Sequence, residues 1–148
     1  MSQAPQVGAT PGGGDTSAAP SGGLDGLIGA RIEEADADHV RLRLPVTAAL
    51  HQPYGIVHGG VYCALVESAA SIGGACWIGD QGRVVGVANQ TDFLRAVSSG
   101  ELTALGTPLH RGHSQQLWQV EITDRDGRLV ARGQVRLQNL RPGGARST

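Results

Sequence analysis

The chain has 148 residues, enough for one domain with a real core and short for two. Its net charge of −1 gives no electrostatic reason to bind nucleic acid or an anionic membrane, although a local basic groove for a small phosphorylated ligand stays open. Aromatic residues make up 3% of the chain, so the core must rest on Val, Leu, Ile and Ala.

Met1 to about Gly23 is rich in Gly, Ala, Pro, Ser and Thr with almost no large apolar residue. Such a segment buries too little surface to offset its ordering entropy and is expected to be a disordered tail, as are Pro142 to Thr148. The start of the chain has no basic segment followed by an apolar run, so no signal peptide is expected. No stretch is expected to be long enough to span a bilayer, and the protein is expected to be soluble and cytoplasmic.

Between the tails the pattern is mostly strand. Leu27 to Ala35 is a weak strand candidate. Val40, Leu42, Leu44 and Val46 alternate with polar neighbours and predict a half-buried strand ending near Pro45. One long helix follows, from about Gly60 to Ile78, with Val61, Leu65, Ala69, Ile72 and Cys76 at helical spacing. Ala64, Glu67, Ser71 and Gly74 form a second stripe, small residues around one acid. Further strands are predicted over Arg83–Phe93, from Leu102, and around Trp118, Val120 and Ile122. Asp124-Arg125-Asp126-Gly127 reads as a hairpin turn before a final strand from Leu129 through Leu137. A helix with few charges on any side needs wrapping, so the simplest assembly is α+β, an antiparallel sheet of five to six strands around one long central helix. Cys63 and Cys76 are too far apart on that helix to bridge and read as buried reduced thiols. Gly73-Gly74 reads as helix packing, since no strand precedes it as a dinucleotide loop requires.

The chemistry gathers where Gln52-Pro-Tyr-Gly-Ile-Val-His58-Gly59-Gly60 opens into the helix that carries Glu67. A helix start supplies aligned N–H groups and positive potential, which polarise a carbonyl. An unpaired carboxylate on an enclosed helix is costly, so a lone glutamate there suggests acyl-group chemistry. The bland readings are a capped buried acid for Glu67, a capping histidine for His58, a loop tie for Gln52 and a packing residue for Ser71. No histidine shows ligand spacing with carboxylates or thiols, so no metal is expected.

The run His51 to Ser68, with Pro108-Leu-His-Arg-Gly112 and Trp118 before the Asp-Gly hairpin, resembles the hotdog-fold PaaI-type acyl-CoA thioesterases. The closest branch acts on 4-hydroxybenzoyl-CoA and 1,4-dihydroxy-2-naphthoyl-CoA. The likeness spans roughly Leu24 to Leu140. It implies hydrolysis of an acyl-CoA, an aromatic one by preference, with no cofactor beyond the CoA of the substrate. It implies Glu67 as nucleophile or general base and Gly59 N–H polarising the thioester carbonyl. Gln52 and His58 would orient substrate and water, and Ser71 would assist hydrolysis. Arg95, Arg111, His113 and Ser114 would meet CoA. It also implies a homodimer or homotetramer, Glu67 of one subunit facing Gln52, His58 and Gly59 of its neighbour. Gln90-Thr-Asp-Phe-Leu-Arg95 departs from the branch in lacking the histidines of the naphthoyl enzymes. The rival expectations are a hotdog dehydratase or hydratase, and a non-catalytic acyl-CoA-binding module.

Overall fold

The structure is a computed structural model that describes residues 19–20 and 22–143. The two expected tails therefore lie mostly outside the described residues. In chain order the elements are β1 (Ala19–Pro20), α1 (Gly23–Ile28), β2 (Arg31–Ala35), β3 (Val40–Pro45), α2 (Gly59–Ile78), β4 (Arg83–Phe93), β5 (Glu101–Arg111), β6 (Gln115–Thr123) and β7 (Leu129–Leu140). All strands join one antiparallel sheet in the order β1-β2-β3-β5-β6-β7-β4. Six strands of useful length wrap α2, the α+β hotdog arrangement expected; the two-residue β1 is an addition at the β2 edge.

Alternation decides which face of each strand meets the helix. Val40, Leu42 and Leu44 of β3, Leu102 and Ala104 of β5, Trp118, Val120 and Ile122 of β6, and Val135 and Leu137 of β7 are essentially inaccessible to solvent. From α2, Leu65, Val66, Ala69 and Ala70 meet them. The two central glycines of α2 let the helix approach closely. A Cβ on Gly73 would stand 2.5 Å from the Trp118 ring, and one on Gly74 would overlap Leu137. Their role is packing, as expected, although Gly74 thereby belongs to the core rather than to an open stripe beside Glu67.

The β6–β7 turn is closed by Asp124. Gly127 has φ 78°, its N–H donates to the Asp124 carbonyl at 3.0 Å, and the Asp124 carboxylate accepts from Asp126 N, Arg128 N and Arg128 Nε.

Three expectations are corrected. Residues 27–30 are not strand: α1 runs to Ile28 and stops at Gly29, whose φ of 90° lets Gly29 and Ala30 N–H donate back to the Asp25 carbonyl. The glycines that make this stretch read as coil provide the helix stop, and Ser68 Oγ donates to Asp25 Oδ1 at 2.6 Å to dock α1 on α2. Cys76 is exposed and Cys63 half-buried, because neither position falls on the stripe of α2 that carries Leu65, Val66, Ala69 and Ala70 into the core. Finally, Gly59–Gln81 has the length and mean hydropathy (1.4) of a membrane-crossing segment. The sheet wraps it, which makes it a core helix of this fold.

Candidate active site

The loop before α2 is shaped by its own hydrogen bonds. Gly55, at φ 78°, donates to the Gln52 carbonyl at 3.0 Å, and Gln52 N–H donates to the Ile56 carbonyl at 2.8 Å. The Gln52 side chain oxygen accepts from Tyr54 N. Val57 N–H donates to the Val97 carbonyl and His58 N–H to the Leu50 carbonyl, which anchors the end of the loop to the body. His58 is the N-cap of α2, its Nδ1 accepting from Gly60 N–H at 2.8 Å. An accepting Nδ1 on a neutral ring puts the proton on Nε2, so His58 caps the helix with one nitrogen and offers a donor with the other. The Gly59 N–H makes no hydrogen bond among the described residues. It is a free donor at the positive end of the helix.

Gly59 opens on a cleft of about 330 Å³ whose walls include Gln52, Ile56, Tyr62, Phe93 and Arg95. The Phe93 ring lies against Gly59: a Cβ there would come within 2.5 Å of it, so any side chain would have to displace the ring. Of the expected residues, Gly59, Gln52 and Arg95 thus share one cleft. His58 faces a second, apolar groove formed with Leu24, Ile28, Leu50 and Val61.

Glu67 is half-buried two turns along α2, about 12 Å from Gly59 at helical rise. Within one chain the acid and the helix-start amide are therefore apart. Glu67 Oε2 accepts from Asn89 Nδ2 at 3.1 Å; the same Nδ2 donates to the Cys63 carbonyl at 3.1 Å. Asn89 Oδ1 accepts from Thr91 Oγ1 at 2.8 Å, so the amide is held from both ends. That leaves Oε1 packed on Gly86, at the irregularity between Gly86 and Ala88 in the β4–β7 ladder. Ser71, half-buried, stands one turn beyond Glu67 on the same helix face.

Asn89, Thr91 and Gly86 were not singled out by sequence. The signal available was a polar side chain within an otherwise apolar strand start.

Arg111, His113 and Ser114 lie elsewhere in the chain. Arg111 Nη1 donates to the Ala37 carbonyl at 2.6 Å and its guanidinium sits 5.8 Å over the Trp77 ring. Trp77 is about 27 Å from Gly59 along α2. The His113 and Ser114 carbonyls accept from Asn139, tying the β5–β6 turn to β7. One chain does not bring these three to the Gly59 cleft. Among the described residues no three His, Cys, Asp or Glu side chains gather as a metal site.

Residues 54–131 match the family model described as the thioesterase superfamily. This chain belongs to the thioesterase superfamily. A Mycobacterium tuberculosis (strain ATCC 25618 / H37Rv) protein carrying a provisional esterase name is 52% identical over 120 residues, spanning 79% of this chain and 86% of its own length. The 1,4-dihydroxy-2-naphthoyl-CoA hydrolase of Escherichia coli (strain K12) is 36% identical over 109 residues, 73% of this chain and 79% of that protein. The crystal structure of S. sahachiroi AziG superposes with a TM-score of 0.79 at 51% identity, covering 81% of this chain and 98% of that one. The fold is the hotdog of these thioesterases, and the activity that goes with membership is hydrolysis of an acyl-CoA thioester.

Proposed function

We propose that this thioesterase hydrolyses an aromatic acyl-CoA to the free acid and CoA at a site shared between two copies of the chain. The carrying observation is the position of Glu67. Its free oxygen lies on β4, a strand with a neighbour on one side only, and its backbone stands about 12 Å along α2 from Gly59 of its own chain. A second copy paired along β4 brings the two together. Glu67 packs at Gly86 and Gly59 at Phe93, so an antiparallel pairing with Gly86 across from the partner's Phe93 sets each acid beside the neighbouring chain's helix start.

In that site the Gly59 N–H withdraws electrons from the thioester carbonyl, an interaction of the kind typically worth roughly 3–4 kcal/mol in the transition state. Glu67 then attacks the carbonyl carbon as the C–S bond breaks, giving a mixed anhydride and CoA thiolate, and water cleaves the anhydride and supplies the proton of the thiol; or Glu67 takes a proton from a water that attacks the carbonyl and passes it to the departing sulfur. Either route ends with acid, thiol and regenerated carboxylate. Gln52 and the His58 Nε2–H orient substrate and water, and Ser71 assists hydrolysis. Arg95 in the cleft is the best-situated cation for CoA; Arg111, His113 and Ser114 could serve only from a different copy. The aromatic preference is supported by the naphthoyl-CoA hydrolase likeness and by the Phe93 and Tyr62 rings of the cleft. Two unbridged thiols support a reducing, cytoplasmic setting.

The test is Glu67→Ala, assayed by thiol release from benzoyl-CoA and its hydroxylated derivatives. Turnover is expected to fall by about three orders of magnitude or more, with thermal stability and CoA binding retained. Hydrolysis near the wild-type rate would remove Glu67 from the mechanism.

A further inference from the structure

The interior satisfies its polar side chains with care. Trp118 Nε1 donates to Gln116 Oε1 at 2.8 Å, Gln116 Nε2 donates to Asn139 Oδ1 at 2.9 Å, and Asn139 Nδ2 donates to the Gly112 carbonyl at 2.9 Å. Against that background one atom is left out. Among the described residues, the Tyr62 hydroxyl is the buried side-chain polar atom with no hydrogen-bond partner, and the residue is 3% exposed. An unpartnered buried donor costs roughly 1–3 kcal/mol, and phenylalanine would fill the same space without that cost.

Tyr62 is also in a telling place. Helical side chains lean toward the N-terminus, so a residue three positions after Gly59 covers the turn that begins at Gly59. Its ring forms part of the Gly59 cleft and meets the Phe93 ring with centroids 5.8 Å apart, tilted by 36°. Phe93, at the end of β4, is 55% exposed and covers both Tyr62 and Gly59. It is the solvent-facing side of an otherwise packed corner. Burial also pushes the Tyr62 phenol above its ordinary pKa, which keeps it a neutral donor at working pH.

We infer that Tyr62 is a specificity-determining residue of this cleft: its hydroxyl hydrogen-bonds a polar substituent of the acyl group that enters between Phe93 and the Gly59 backbone. The bound substrate then supplies the partner that the free protein lacks. A site that holds a donor for a substrate oxygen penalises the analogue without that oxygen, because the donor stays buried and unpaired. The inference rests on the acyl-CoA reading proposed above, and its test separates the two.

The experiment measures kcat/KM for thiol release from benzoyl-CoA and its 2-, 3- and 4-hydroxy derivatives, with the wild-type chain and with Tyr62→Phe. Dividing the hydroxy-to-parent ratio of wild type by that of the variant cancels the intrinsic reactivity of each thioester. For at least one isomer this quotient is expected to be about tenfold, one hydrogen bond's worth of selectivity. Tyr62→Phe is also expected to melt at or above the wild-type temperature, since an orphan donor is removed. Quotients below threefold for every isomer, with hydrolysis intact, overturn the role of Tyr62 and leave the thioesterase reading standing. A variant less stable than wild type and showing no such quotient identifies the hydroxyl as held by interior water, which also overturns it. A wild-type chain that cleaves none of the four thioesters overturns the aromatic reading and this inference together.

Discussion

Strands β3, β5, β6 and β7 bury alternate side chains against α2, whereas none of the eleven residues of β4 is buried, although it is as long as β5. Val85 is 43% exposed, Val87 49% and Phe93 55%. The first region is finished: the inward-facing apolar side chains of its strands are covered. The second keeps apolar side chains in water and an unpaired row of backbone groups at the sheet edge, features that invite another strand. Glu67 belongs to the unfinished region, and that difference is what makes the site a property of an assembly in the proposed function.

The comparison is broken most severely from the finished side. Trp118→Ala removes the largest fully buried side chain, and Gly73 cannot move in to fill the space it leaves. Unfolding in denaturant is expected to show a loss of about 3–5 kcal/mol. A loss below about 1 kcal/mol would mean the helix–sheet contact is looser than its geometry implies. On the unfinished side, Val87→Lys should leave the fold of each chain intact, losing only the melting stability that association adds, while blocking strand pairing. Sedimentation is expected to give monomer, and kcat/KM to fall by about a hundredfold or more because the acid and amide no longer meet. A fully active monomer would sink the shared site. The smallest change sharpens the picture at one atom. Gly86→Ala brings a Cβ against Glu67 Oε1, the end of a flexible side chain, so the carboxylate must turn. Stability is expected to shift by less than about 1 kcal/mol and kcat to fall by about tenfold, read from melting curves and steady-state kinetics.

Much of the fold was legible in local pattern. The bounds of β4 at Arg83 and Phe93, the Asp124–Gly127 turn and the span of α2 agree with the sequence reading to within a residue. Each rests on a short-range rule: period two in strands, period near four in the helix, a left-handed glycine at the turn. The short helix α1 was not legible, because its glycines and exposed Leu24 and Leu27 carry no apolar periodicity; docking through Ser68 and Asp25 holds it. In the site, Gln52, His58 and Gly59 were legible as one loop-to-helix junction. The link from Glu67 to Asn89 was not, since 22 positions separate two residues that meet only across the α2–β4 contact. The resemblance put Arg111 against CoA, and nothing local signalled its engagement by the Ala37 carbonyl and the Trp77 face.

By itself, then, the amino-acid order determined the long elements and their succession, which depend on neighbours a few positions apart, and carried the motifs by which the chain resembles the thioesterases. Tertiary structure decided that Asn89 of β4 holds one oxygen of the acid while Gly86 packs on the other. It also decided that an edge strand lies beneath that acid, and that a phenol is sealed under Phe93 without a partner. Those facts arise from how helix and sheet come together over long separations in sequence, where packing of whole faces rather than local preference sets each side chain's surroundings.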